Sequence, residues 1–293
     1  MKSFSNYHPI ALMTYFISVL LISMFVSNPV LQALALLGGI LFSTILLKRR
    51  ENLSNIGFYI PLFLMIAVTN PLFSHNGVTP LFFLNGNPVT LEAFIYGIGI
   101  AVMIVGVMIW CKCFSEIMTS DKFLYLFGRI IPKLSLVLSM ALRFIPMFKR
   151  QMQKVNRAQK AMGLYTTKSF MDKLKSASRV FISLITWSLE NAMDTSDSMK
   201  ARGYGLKGRT NFSLFRFYKN DAILLIINAV MILITLIGVA NGQTTFSYYP
   251  RISEINISVN AIIVYVSFGV LSFLPFVIEL KEALVWKYYI SKI

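Results

Sequence analysis

The sequence is short of charge. Only 14% of its 293 residues are Asp, Glu, Lys or Arg, and 56% are hydrophobic. A soluble domain carries about a quarter charged residues. One soluble core of this size has no room for so much apolar surface, so a soluble enzyme is excluded. Cysteine and histidine are nearly missing too, at two residues each. Cys111 and Cys113 sit together at the end of one apolar run, so no disulfide framework is available. His8 and His75 are far apart and lack companion ligands, so no metal site is expected. Acidic residues are the scarcer sign, with 12 against 28 Lys and Arg, for a net charge of +16.

That charge is unevenly placed. Residues 116–220 hold 19 Lys and Arg against 6 Asp and Glu. A basic excess can signal nucleic acid, but basic residues also collect on the cytoplasmic side of membrane proteins and meet anionic lipid there. The second reading fits the apolar composition, and nucleic acid is not expected as a partner. Nor is a nucleotide cofactor. The chain has no G-x-x-x-x-G-K-[ST] loop, and the G-x-G-x-x-G at Gly203, Gly205 and Gly208 follows a long helix, where a dinucleotide site needs a preceding strand.

What the sequence has in abundance is long apolar runs. Six recur, at about 10–27, 30–47, 55–73, 91–111, 221–240 and 258–278. Each is long enough to cross a hydrocarbon core of roughly 30 Å. In hydrocarbon the backbone must satisfy its own hydrogen bonds, so the spans are helices. The first run also resembles a signal peptide, with Ala33 and Ala35 in reach of a cleavage site, but it is longer than a usual signal core and a second run follows almost at once. A retained first helix is the favoured reading. Asn28-Pro29 turns the first two runs into a hairpin, because proline lacks the N–H that would continue a helix.

The loops give orientation. Lys48-Arg49-Arg50, Lys112 with the basic segment, and Lys281, Lys287 and Lys292 follow alternate spans, while the opposite loops hold one basic residue, Arg251. The positive-inside rule then places both termini and residues 112–220 in the cytoplasm. Residues 130–148 are apolar enough to suggest a seventh span, but Lys133 and Arg143 interrupt them. They are expected as a helix at the membrane face or against the other helices, with Pro132 in its first turn and Pro146 ending or kinking it. Two further helices are expected at 150–162 and 168–201, each followed by a glycine, Gly163 or Gly203. In the second, Phe170, Leu174, Ala177, Phe181, Leu184 and Ile185 recur at helical spacing and form one apolar face.

Fold class is therefore all-α, a polytopic membrane protein with about six transmembrane helices and long cytoplasmic helices. Three regions are expected: residues 1–115 with four spans, 116–220 with the cytoplasmic or interfacial helices, and 221–293 with the last two spans and the C-terminus. No catalytic residue is evident. Glu190, Asp194 and Asp197 share one helix face, but a solvated or ion-paired surface explains them better than acid–base chemistry. The spans hold almost no ionisable groups at their centres, with Glu92 and Glu279 only at span ends. That argues against a channel or secondary transporter, which usually buries such groups and remains the alternative. The exposed end of each cytoplasmic helix is a candidate for docking a soluble partner, because a cation at a helix C-terminus is favoured by the dipole and Arg202 can grip bidentately.

Four stretches carry a resemblance. They are Tyr7-His8-Pro9-Ile10, Ala141-Leu142-Arg143-Phe144-Ile145-Pro146, Arg157-Ala158-Gln159-Lys160-Ala161-Met162-Gly163, and Ser196-x-x-Met199-x-Ala201-Arg202-Gly203-Tyr204. Through them the chain resembles the transmembrane T component of energy-coupling factor (ECF) transporters, over nearly its whole length. The resemblance implies two cytoplasmic ATPase subunits of the ABC type, which bind the ATP. It also implies a small membrane S component that captures a vitamin or metal, and a T component that transmits motion between them. Each of two coupling helices then ends in an Ala-Arg-Gly-type motif that docks in one ATPase. Here the candidate docking residues are Ala201, Arg202 and Gly203, and Ala161, Met162 and Gly163, with Met162 where the family commonly has Arg.

Overall fold

The structure, a computed structural model, describes residues 3–74, 76–84, 87–163, 170–206 and 215–290. His75, Lys168, Lys207, Gly208 and Lys292 lie outside the described residues. The chain forms two compact units, one of residues 1–123 with 215–293 and the other of residues 124–214.

Among the described residues the first unit contains six apolar helices: α1 (Pro9–Phe25), α2 (Pro29–Leu46), α3 (Arg49–Phe73), α4 (Leu91–Ile117), α8 (Lys219–Ala240) and α9 (Val259–Ile290). Five are long and apolar enough to cross a membrane, and α1 is equally apolar at 17 residues. The six expected spans all appear as helices, but several run past their apolar stretch. α3 begins at Arg49 and α9 continues to Ile290. Hydropathy marks where lipid is and leaves open where a helix ends. α5 (Ser120–Ile130) was not foreseen, nor was the hairpin of β1 (Pro80–Leu84) and β2 (Asn87–Thr90), which pair antiparallel.

The helix starts follow local chemistry. His8 precedes α1 and its side chain accepts from the Ile10 N–H at 3.3 Å, with Pro9 as first helical residue. Asn28 does the same for α2, accepting from Val30 at 3.0 Å before Pro29. A side-chain acceptor satisfies a backbone donor that the helix leaves orphaned, and proline has no donor to lose there.

One face of α1 is deeply buried in this unit. Phe4, Tyr15 and Phe16 are buried with Phe42 of α2 and Trp110 of α4, and Phe4 meets its neighbours edge-on, Tyr15 at 5.4 Å and Phe42 at 5.7 Å. Edge contacts of this kind add to the area buried. Every polar tip in the cluster has a partner, as hydrocarbon demands. Tyr15 donates to the Leu271 carbonyl at 2.8 Å and Trp110 to the Ala35 carbonyl at 2.9 Å. α2 and α9 approach closely at Gly38, where an added Cβ would stand 2.8 Å from the Ser272 carbonyl oxygen. Small residues at such crossings let backbones meet where no hydrophobic force drives helices together.

Charged groups in this unit are spent on tying chain ends down. Buried Asp221, in the first turn of α8, accepts from the His8 N–H at 3.0 Å and the Tyr218 N–H at 2.8 Å. Glu279 accepts from Ser3 Oγ at 2.7 Å and the Phe4 N–H at 2.9 Å. Lys122 of α5 donates to the carbonyls of Ser5 and Ile117, and burial holds its ammonium pKa below the usual lysine value.

The second unit is built on α6 (Pro132–Ala161) and α7 (Phe170–Ala201). One expectation is corrected here. The helices expected at 130–148 and 150–162 are one continuous helix of 30 residues, with Pro146 inside it. Proline removes one hydrogen bond, and the strong helix formers from Lys149 to Ala161 carry the helix on. The apolar face of α7 is largely exposed. Phe170, Leu174 and Phe181 are exposed, and the side of α7 that is buried carries Ser176 and Val180.

Candidate functional site

α6 and α7 pack against each other in opposite directions. Phe148 of α6 meets Trp187 of α7 with ring centroids 5.5 Å apart and planes at 90°. Further along, Met140, Arg143, Phe144 and Met147 of α6 face Asn191, Asp194, Thr195, Ser198 and Met199 of α7 across an open cleft of about 390 Å³. Arg202, just past the end of α7, also lines the cleft. Two arginines and one carboxylate therefore line the same cleft. Arg143 stands out in the sequence as a cation inside an apolar run, but that pattern does not say which residues it meets.

The two docking candidates occupy the same station at the two helix ends. After α6, the Met162 N–H bonds to the Ala158 carbonyl at 3.1 Å and the Gly163 N–H to the Lys160 carbonyl at 3.0 Å. After α7, the Arg202 N–H bonds to Ser198 at 3.2 Å and the Gly203 N–H to Lys200 at 2.9 Å. The Tyr204 N–H then reaches back to the Met199 carbonyl at 3.0 Å, which completes a Schellman closure. Gly163 and Gly203 stand at φ +74° and +80°. A residue with a Cβ is strained there, so glycine is what ends each helix and aims the preceding side chain outward. Ala161, Met162, Gly163, Ala201 and Arg202 are all exposed, Met162 at 67%. Gly203 is half-buried.

Because the helices run in opposite directions, the two ends do not converge. Arg143 shares a cleft with Arg202, and Met162 lies about 19 residues further along α6, roughly 28 Å at the usual helical rise. The pair presents two separate knobs of like backbone shape and unlike chemistry, one a charged fork and the other an apolar thioether.

Of the three carboxylates on one face of α7, Asp194 lines the cleft, and Asp197 pairs with Lys200 at 3.4 Å on the exposed surface. An exposed pair of this kind contributes little to stability. Among the described residues no group of three His, Cys, Asp or Glu is placed to hold a metal ion.

Comparison with known proteins adds a family. Residues 6–214 match CbiQ, the cobalt transport protein family. The chain is 39% identical over 103 residues to the energy-coupling factor transporter transmembrane protein EcfT of Listeria innocua, covering 34% of this chain and 39% of that protein. It is 36% identical over 104 residues to a protein of the same description from Listeria monocytogenes, covering 35% and 38%. A third, from Lactobacillus helveticus, is 33% identical over 104 residues, covering 35% and 38%. The aligned stretch thus spans about two fifths of the length of these curated relatives.

Proposed function

The chain belongs to the CbiQ family of cobalt transport proteins, and from that premise we propose that it is the transmembrane coupling subunit of an ECF-type importer. In this reading two ABC-type ATPases in the cytoplasm hold the ends of α6 and α7. Closure of the ATPase pair on ATP moves the two helices, and a small membrane S component reorients to deliver a vitamin or metal. The protein itself holds no nucleotide; ATP is bound by its partners. It resides in the cell membrane with both termini and residues 112–220 in the cytoplasm.

The observation that carries the reading is the matched pair of helix ends. Two helices finish in the same glycine closure, each exposes the residue before the glycine, and the antiparallel packing holds the two exposed residues far apart. One soluble protein binding at one patch needs no second knob of the same design. Two homologous subunits sharing one scaffold do. The exposed apolar face of α7, with Phe170, Leu174 and Phe181, supports a further apolar partner, and a small membrane protein fits that chemistry.

The test is affinity purification of the tagged chain from its own membranes. Co-purification of two ABC-type ATPases and a small membrane protein supports the proposal. Recovery of the chain without ATPases, under detergent conditions that keep it folded, overturns it.

A further inference from the structure

A second cleft lies in the membrane unit. α4 packs closely on both α2 and α3. At Gly39 of α2 an added Cβ would stand 3.1 Å from the Trp110 indole nitrogen, and at Gly97 of α4 one would stand 2.8 Å from the Ala67 carbonyl oxygen. Both neighbours are thus held to α4, and α2 and α3 barely meet each other. Between them, beside the joint at Leu47 and Lys48, is an open cleft of about 400 Å³.

The cleft has two chemistries. Its walls are apolar, with Leu36, Ile40, Phe63, Leu64 and Ile109. Apart from Tyr59, its main polar groups come from the ends of the helices nearest the basic joint: Asn52 and Asn55 from the first turns of α3, and Lys112 from the last turns of α4. Ser43 and Thr44 also line it, but their hydroxyls already donate to the carbonyls of Ile40 and Leu41. Among the described residues no Asp or Glu lines the cleft. The Asn55 amide nitrogen is buried without an acceptor. Exposed Lys48 and Arg50 flank the same end, against Glu51 and Glu116 nearby in the chain.

We propose that this cleft holds one anionic phospholipid, an acyl chain along the apolar walls and the phosphate at Lys112 and the two asparagines. Donors at one end suit an anion and apolar walls suit an acyl chain; one molecule of this class matches both. The proposed orientation, on which this site rests, puts the basic end at the cytoplasmic leaflet, where anionic headgroups draw basic residues.

The full chain, purified in mild detergent with whatever accompanies it, is equilibrated with equimolar phosphatidylglycerol and phosphatidylcholine, and retained lipid is read by native mass spectrometry. Wild type retains phosphatidylglycerol in preference. Lys112→Gln lowers that preference about fivefold, the factor one near-surface lysine contributes toward an anionic lipid. Ile40→Trp fills the slot and lowers retention of both lipids. Equal retention of the two lipids by wild type overturns the proposal, as does a preference that Lys112→Gln leaves unchanged. A Thr44→Cys chain that cross-links to a partner protein in intact membranes overturns it too, because protein then covers the cleft. Lipid retention is read on the chain itself, so loss of ATPase co-purification sinks the coupling reading and leaves this one standing.

Discussion

Replacing Arg202 with alanine separates folding from docking. The turn after α7 is closed by backbone atoms, the Gly203 N–H on Lys200 and the Tyr204 N–H on Met199, with Gly203 at φ +80°. None of these uses the Arg202 side chain, which is exposed. What the fold loses is a cation near a helix C-terminus, about 0.3–1 kcal/mol. What a docked ATPase loses is a desolvated arginine at an interface, about 2 kcal/mol or more, or roughly 30-fold in affinity. Arg202→Ala is therefore expected to keep wild-type membrane levels and thermal stability, retain one ATPase about 30-fold more weakly, and abolish coupled uptake. Arg202→Lys falls between, because lysine keeps the charge and loses the planar fork. Gly203→Ala behaves differently: a Cβ at positive φ costs roughly 1–2 kcal/mol, so helix-end stability and docking fall together. The measurements are quantified co-purification of ATPase and substrate uptake at equal expression. Near-normal uptake by Arg202→Ala at normal expression removes Arg202 from the docking site, and an equal loss from Lys200→Ala shows that general charge, and not this position, is responsible.

Three further outcomes are expected. Arg202→Met reduces uptake far more than Met162→Ala, and Met162→Arg is neutral or harmful because it places a charge in a groove matched to a thioether; a rise in uptake shows that Met162 is a degraded motif. In a chain carrying Cys111→Ser and Cys113→Ala, an impermeant thiol reagent applied to intact cells labels Val78→Cys and not Lys175→Cys, and labelling at position 175 refutes the orientation. Gly38→Ala lowers the detergent melting temperature through overpacking of about 1–3 kcal/mol, since its Cβ would press on the Ser272 carbonyl, whereas Gly57→Ala, with nothing within 4 Å, does not; equal effects refute the close α2–α9 crossing.

Membrane character, the number of apolar helices and the two glycine-ended helices of the second unit were legible in the sequence, because each rests on local chemistry. Apolar runs must be helical in hydrocarbon, and a glycine after a helical pattern needs only its own φ. The continuation of α6 through Pro146 was not legible. A proline fixes one donor and one angle, and whether the helix ends there depends on the residues after it and on the surface it packs against. The apolar stripe of α7 was real as a pattern, but periodicity says that a face is apolar and not what covers it. Ser176 and Val180 face the fold, and Phe170, Leu174 and Phe181 do not. The two clefts were beyond reach for the same reason. Arg143 comes to Arg202 across about 59 residues of chain, and Asn55 to Lys112 across about 57, far outside the three- and four-residue spacing at which a sequence shows its neighbours. Composition and local spacing fixed where this chain lives and how its helices end. Only helix packing decided which side chains share a cleft, because that depends on where backbones can approach, at Gly38, Gly39 and Gly97.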